Sequence, residues 1–277
     1  MTVDEIIEQA LLEDLGDGDH TSLATVPKGS LSRARLLVKQ AGILCGVDIA
    51  RRIFHRLDPT LEFTALLHDG QPIQPGDVAF TLSGNPVSIL SGERLALNFM
   101  QRLSGIATQT RRMVDAIEGY PVKLLDTRKT TPLLRELEKY AVKTGGGHNH
   151  RFGLFDMILI KDNHVDFAGG IVQAIRAVHK YLNEKKLDLK IEIEVRNFME
   201  LEAVLSEGGI HRIMLDNFTP PDLRKAVEKI NHRYETEASG GITLDSIREY
   251  AATGVDFISV GALTHQIHSL DLSLKAY

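Results

Sequence analysis

The chain opens on an amphipathic pattern. Val3, Ile6, Ile7, Ala10 and Leu11 recur at helical spacing, and Thr2 with Glu5 has the form of a capping box, so the pattern predicts an N-terminal helix. The stretch that follows mixes two periodicities. "LLVKQAGILCGV" (36–47) reads as a strand-like run broken by glycines, and "ALLHDGQPIQPGDVAFTLSGN" (65–85) is dense in turn signals. "ERLALNFMQRLSGIATQTRRMVDAI" (93–117) reads as helix with a break at Gly105. After about residue 120 the pattern changes. Short apolar runs at 122–127, 157–162, 190–195, 212–216, 234–239 and 257–261 alternate with helical stretches at 132–143, 169–185, 198–207, 220–231 and 243–252. Strands separated in this way by helices predict a parallel sheet. Closed on itself, the sheet is a TIM-like α/β barrel with six strands in place of the usual eight; left open, it is a doubly wound sheet.

Composition narrows the function classes. The 277 residues carry 32 Lys and Arg against 37 Asp and Glu, a net charge of −5, which argues against a general nucleic-acid binder. A single cysteine, Cys45, excludes an intramolecular disulfide and a cysteine-built zinc site, and it suits a reducing compartment. The acidic, amphipathic N-terminus is not a secretory signal. No apolar run approaches the roughly 18 residues a membrane span needs, so the expected location is the cytoplasm.

The strand ends hold the chemistry. In α/β barrels the working residues stand at the C-terminal ends of strands. Here those ends carry Thr127-Arg128-Lys129, Lys161-Asp162, Glu194, Asp216, Ser239-Gly240-Gly241 and Gly261. One group is cationic: Arg94, Arg128, Lys129, His150, Arg151 and Lys161. Arg151 closes "GGGHNHR" (145–151), whose glycines allow backbone to approach a ligand. Arginine forks bind carboxylates in pairs of hydrogen bonds, so Arg128 and Lys129 are expected to meet a polyanion. The alternative is internal pairing with Asp126, Asp156 or Asp162.

A second group is acidic. Glu194 and Asp216 end neighbouring strands, where carboxylates can hold ribose hydroxyls, bind Mg²⁺ through phosphates or stabilise positive charge on a sugar. Glu192 shares a strand face with Glu194, and salt bridging is the preferred reading for it. A third group is the pair of glycine turns "ASGGIT" (238–243) and "SVGALT" (259–264), placed where barrels often bind phosphate. Together the groups predict a ligand with a terminal phosphate, a sugar and a dense negative end. A phosphorylated ribose carrying pyrophosphate fits, with an acid as co-substrate.

Several motifs fail. "DLGDGDHTS" (14–22) resembles a calcium loop, but the twelfth position is Lys28 where a glutamate is needed. "HNH" (148–150) has no third metal ligand beside it. Neither G-x-G-x-x-G after a strand nor G-x-S-x-G occurs. Two other classes stay open: a Schiff-base aldolase using Lys161, disfavoured by the neighbouring Asp162, and a non-catalytic sensor of phosphorylated sugars.

"DTRKTTP", "GGGHNHRFGLFDMILIKDNH", "IEIEV", "IMLDN", "ASGGI" and "SVGALTH" resemble, in order, the signatures of the quinolinate phosphoribosyltransferase family. "LLEDLGDGDHTS", "AGILCG" and "GERLALNFMQRLSGIAT" in the N-terminal half are similar too, so the resemblance covers nearly the whole chain.

The resemblance implies type II phosphoribosyltransferase architecture. An N-terminal α/β sandwich domain (1–107, with 266–277 packing on it) would join an incomplete, six-stranded barrel (108–265). It implies transfer of phosphoribosyl from phosphoribosyl pyrophosphate to quinolinate with loss of CO₂, giving nicotinate mononucleotide and pyrophosphate for NAD synthesis. It implies Mg²⁺, carried by phosphoribosyl pyrophosphate with Glu194 and Asp216 as the protein carboxylates nearby. Arg94, Arg128, His150, Arg151 and Lys161 would hold the quinolinate carboxylates. Lys129, with Lys161 nearby, would meet pyrophosphate, Thr127 is a further substrate-binding residue, and Lys129, Lys161, Glu194 and Asp216 form the catalytic set. Ser239, Gly240, Gly241, Val260, Gly261 and Ala262 would cradle the 5′-phosphate. The expected assembly is a homodimer with a shared active site, Arg94 entering the partner's barrel, with dimers able to build a hexamer. A related transferase with another acceptor, such as nicotinate, is the alternative; a monocarboxylate does not need so many cations.

Overall fold

The computed structural model describes all residues, 1–277. In chain order the elements are α1 (Val3–Leu15), α2 (His20–Thr25), β1 (Ser32–Val38), β2 (Gly42–Ile43), α3 (Val47–Leu57), β3 (Glu62–Ala65), β4 (Pro72–Ile73), β5 (Val78–Gly84) and α4 (Pro86–Ala116). Then follow β6 (Lys123–Leu125), α5 (Arg135–Thr144), β7 (Ile158–Ile160), α6 (Asp162–Ala168), α7 (Ile171–Lys185), β8 (Ile191–Val195) and α8 (Phe198–Glu207). The last are β9 (Arg212–Asp216), α9 (Pro220–Ile230), β10 (Glu235–Ser239), α10 (Ile247–Ala251), β11 (Phe257–Ser259), α11 (Ala262–His265) and β12 (Leu272–Ala276).

The chain forms two compact units. The first comprises 1–111, 130–146 and 263–277; the second comprises 112–129 and 147–262. The expected division after residue 107 falls within α4, and 130–146 clusters with the N-terminal residues.

The first unit is built on a four-stranded antiparallel sheet of order β12-β1-β5-β3, with a small β2-β4 ribbon beside it. The C-terminal strand completes the sheet, Ala34 pairing with Ala276 and Val38 with Leu272. Phe63 and Phe80 stack with centroids 4.4 Å apart, and Phe54 of α3 packs edge-on against Phe80. The predicted capping box is present, Glu5 N–H donating to Thr2 Oγ1 and Thr2 N–H to Glu5 Oε2. The expected break at Gly105 is absent. The helix runs unbroken, and Gly105 is where the carbonyl of His268 closes on it, leaving no room for a Cβ. The glycine there serves close packing rather than a change of direction.

The second unit is a six-stranded parallel sheet of order β6-β11-β10-β9-β8-β7, an incomplete barrel whose edge strands β6 and β7 do not pair with each other. The sheet alternates strictly. Ile193, Val195, Ile213, Leu215 and Ile258 are fully buried on one face. Burial of each such side chain is worth about 1.5–3 kcal/mol. The other face carries Glu192 and Glu194, Arg212 and Asp216, and Glu235, Glu237 and Ser239, in register across β8, β9 and β10. Barrels normally fill this face with branched apolar residues. The segment 147–150 lies along the free edge of β6. His148 N–H donates to Leu124 O and Asp126 N–H to His148 O, and this delivers His150 to the sheet. The helical stretch expected at 169–185 is α7; a further short helix, α6, precedes it, and Gly169 and Gly170 make the turn between them. No helix is long and apolar enough to cross a membrane.

Candidate active site

Arg128 and Lys129 follow β6 directly. Thr127 Oγ1 takes the Lys129 N–H at 3.0 Å, which shapes the turn. The carboxylates that could have neutralised Arg128 are otherwise engaged. Asp126, fully buried, accepts the His150 N–H at 2.9 Å. Asp156 accepts from Phe152 and Gly153, and Asp162 from Asn163. Arg128 Nε is buried without a hydrogen-bond acceptor. Arg151 stands close by. Burial, and then the Arg128 charge, hold its guanidinium below the usual arginine range, and its Nη1 donates to Met157 O at 3.2 Å. Two cations pressed together with donors unspent make a receptor for an anion.

Beside them stand Lys161, Glu194 and Asp216. Lys161 caps α6, its N–H donating to His164 Nδ1 at 2.9 Å, and its Nζ lies 3.4 Å from Glu194 Oε2. Glu194 is nearly buried; burial raises its pKa, Lys161 opposes the rise, and the Asp216 charge adds to it. Asp216 is held on both oxygens, Ser239 Oγ donating to Oδ1 and Asn217 Nδ2 to Oδ2, each at 2.7 Å.

The glycine turn after β10 is closed around Asn217. Asn217 has φ +57° and its N–H donates to Ser239 O at 2.9 Å. Gly240, at φ +98°, packs so tightly on the Asn217 side chain that no Cβ fits. After β11, Val260 spends its N–H on Leu125 O at 3.0 Å, so that amide serves the sheet and not a ligand; Gly261 and Ala262 follow it.

His150, expected among the cationic residues, lies against the carboxylates of the barrel interior, and its charge lowers the pKa of Glu237. Its imidazole is 5% exposed. Nδ1 accepts the Arg151 N–H at 2.7 Å, and Nε2 lies 2.9 Å from Glu192 Oε2 and 3.5 Å from Glu237 Oε2 without a hydrogen bond to either. Burial, opposed by Arg212, pushes Glu192 up to about 7; burial and the Glu192 charge push Glu237 up to about 7. His150, Glu192 and Glu237 have the spacing of a metal site, but a ring whose Nδ1 accepts an N–H has no free lone pair on Nε2 to give a cation. Glu192, read from the strand pattern as a salt-bridging residue, has His150 Nε2 at 2.9 Å and no hydrogen bond on either oxygen.

Of the remaining expected residues, Arg94 is exposed on α4 of the first unit. Arg102, whose position in "MQRLSG" also invites a ligand role, is held by the buried Glu138 and by Thr131. Asp126, Asn217, Arg212 and Glu237 escaped the reading as site residues. For Asn217 a signal existed, since asparagine following a strand-end aspartate suits a left-handed turn.

Family models for the quinolinate phosphoribosyl transferase N-terminal and C-terminal domains match residues 19–104 and 106–275. The chain belongs to the quinolinate phosphoribosyltransferase family. It is 47% identical over 285 residues to the chloroplastic nicotinate-nucleotide pyrophosphorylase [carboxylating] of Arabidopsis thaliana, covering 98% of this chain and 81% of that one. It is 41% identical to a probable nicotinate-nucleotide pyrophosphorylase [carboxylating] of Bacillus subtilis, covering 98% and 92%. Among solved structures, the nicotinate-nucleotide pyrophosphorylase of Francisella tularensis superposes with a TM-score of 0.93 at 41% identity, covering 99% and 96%.

Proposed function

We propose that this protein transfers the phosphoribosyl group of phosphoribosyl pyrophosphate to quinolinate and releases CO₂, yielding nicotinate mononucleotide and pyrophosphate. The observation that carries the reading is the Arg128–Arg151 pair, Arg151 buried and Arg128 half-buried, mutually repelling and without a carboxylate of its own. A dicarboxylate supplies the missing charge. Full-length similarity to carboxylating nicotinate-nucleotide pyrophosphorylases supports the choice of acid.

In this mechanism Arg128 and Arg151 orient quinolinate with its ring nitrogen toward the sugar. The nitrogen bonds to the anomeric carbon as the bond from that carbon to pyrophosphate breaks. Glu194 and Asp216 face the ribose, hold its hydroxyls and stabilise the positive charge that develops there. Lys161 and Lys129 receive the departing pyrophosphate. Ser239, Gly240 and Gly241 hold the 5′-phosphate. The carbon–carbon bond to the 2-carboxylate then breaks. Its electron pair stays on the ring carbon beside the cationic nitrogen and takes up a proton as CO₂ leaves. Catalysis is positioning and electrostatics, with no covalent nucleophile.

Mg²⁺ belongs to the same proposal. Glu194 and Asp216 are hard oxygen donors close enough for the Asp216 charge to act on Glu194, and this fits a divalent cation. When bound, the ion neutralises pyrophosphate charge. The assembly in this reading is a homodimer, with Arg94 completing the partner's site and dimers able to combine into a hexamer. The cytoplasm is the compartment it carries, in keeping with a lone cysteine.

CO₂ release from quinolinate, measured with and without phosphoribosyl pyrophosphate and Mg²⁺, tests the reading. Release that requires all three supports it. Pyrophosphate formed from nicotinate, with no CO₂ from quinolinate, moves the protein to a related transferase.

A further inference from the structure

Arg102 invites a ligand role by its position and has none in the catalytic scheme. It stands on α4 with its side chain 29% exposed, and its guanidinium turns onto Glu138 of α5, which is fully buried. Nε and Nη2 both donate to Glu138 Oε1, at 2.9 and 2.6 Å. Nη2 also donates to Thr131 Oγ1 at 2.7 Å and reaches the carbonyl of Thr264 at 3.4 Å. The other oxygen of Glu138 accepts the Thr131 N–H at 3.1 Å. Thr131 is thus held at both its backbone and its side chain by the two members of one ion pair.

The residues tied in this way stand beside two turns of the site. Thr131 comes two residues after Lys129, and Thr264 comes two residues after Ala262. Successive Cα atoms are about 3.8 Å apart, so neither stretch has much slack. The first turn carries Arg128 and Lys129; the second, 260–262, is the one expected at the 5′-phosphate. The chain beyond Thr131 is strained as well. Leu133 has φ +67°, a conformation costly to a branched side chain. It is flanked by the Leu134 N–H donating to Thr131 O at 3.1 Å and Arg135 Nε donating to Thr130 Oγ1 at 3.0 Å. Backbone of this kind persists where the surrounding contacts over-determine it. Stability alone does not call for a buried ion pair here, because apolar residues of similar volume often serve as well. An apolar pair, however, cannot hold a hydroxyl, an amide and a carbonyl at once, as a guanidinium fork and a carboxylate do together.

We propose that Arg102 and Glu138 are positioning residues for both turns. Through Thr131 they set Arg128 and Lys129, and through the Thr264 carbonyl they set Gly261 and Ala262. They touch no substrate. This role deepens the transferase reading and rests on it for the identity of the substrates.

The double variant Arg102→Met, Glu138→Leu replaces the pair by apolar side chains and tests the role. Its melting temperature should stay within about 4 °C of the wild type. Its kcat/KM for quinolinate and for phosphoribosyl pyrophosphate should each fall about 10- to 100-fold. Amide hydrogen exchange, read without turnover, should quicken at least about tenfold over 127–131 and over 260–264, and stay unchanged over β8, β9 and β10. A folded double variant with wild-type kinetics, or with unchanged exchange in either segment, overturns the positioning role. So does a larger drop in melting temperature with exchange raised along the whole chain, which makes the pair purely structural. If the double variant does not fold, Thr131→Val decides. It removes one acceptor from Arg102 and keeps the ion pair, so exchange should quicken over 127–131 alone; no change there overturns the role. A wild-type protein that releases no CO₂ from quinolinate sinks the substrate reading alone, because exchange is read without it.

Discussion

The hydroxyl of Ser239 donates to Asp216 Oδ1 over 2.7 Å, so the turn assigned to phosphate and the carboxylate assigned to ribose move as one unit. Removing the hydroxyl leaves Asp216 with Asn217 alone. Ser239→Ala is expected to lower kcat about fivefold to fiftyfold, the loss of one hydrogen bond to a charged group. Initial-rate kinetics checks this, and an unchanged kcat would separate the two sites.

Glu194 must be ionised to stabilise positive charge on the sugar. Burial raises its pKa, so protonation on the acid side removes activity at a higher pH than an ordinary glutamate would. The acid limb of the kcat profile should therefore lie above the usual carboxylate range. In Glu194→Gln that limb should vanish along with most of the turnover. Because Lys161 is 47% exposed, breaking its pair with Glu194 should cost less than about 1 kcal/mol of stability. A pH–rate series with a parallel urea titration measures both.

The cationic pair should trade stability for binding. Arg128 repels Arg151 and has no ion pair within the protein. Arg128→Gln relieves that repulsion, so the melting temperature should hold or rise, while the quinolinate KM rises. Arg151→Ala should raise the same KM roughly 30- to 150-fold, from a loss of about 2–3 kcal/mol. A drop in melting temperature for Arg128→Gln would mean that Arg128 is a structural residue.

Glu192 and Glu237 make stability depend on pH in a defined direction. Their folded pKa of about 7 exceeds the ordinary value of 4.5, so between those limits the native state holds protons that the unfolded chain has released. Their contribution is greatest below about pH 4.5 and is lost as pH rises through about 7, at about 1.4 kcal/mol per pH unit for each group. Glu237→Gln should flatten this slope. Denaturant midpoints at about pH 5.5 and 8 give the comparison. A variant slope as steep as the wild type would assign the pH dependence to other groups.

Gly105→Ala tests the packing of α4. The new methyl meets the His268 carbonyl, and the expected cost is about 1–3 kcal/mol without a change in either KM. Urea unfolding reads it directly.

Much of the site was legible along the chain because parallel strands deliver their ends to one rim. Lys161, Glu194, Asp216 and Ser239 could be found by asking what each apolar run ends on, and the period-two pattern of "IEIEV" already placed Glu192 and Glu194 on one face. Local chemistry likewise determined the Thr2–Glu5 cap and the alternation of strands and helices. What each residue does was decided by neighbours distant in sequence. The carboxylates that surround the His150 ring, Glu192 and Glu237, come from two other strands and could not be read from "GGGHNHR". Arg102 and Arg151 look alike in the chain. A buried Glu138 claims the first, whereas the second is left beside another cation. Gly105 reads as a helix break and proves to be a contact, because its reason is a carbonyl that lies far along the chain. Periodicity is a property of the backbone and survives in one dimension. Charge state, pairing and close approach are properties of pairs of groups, and only the tertiary structure chooses the pairs.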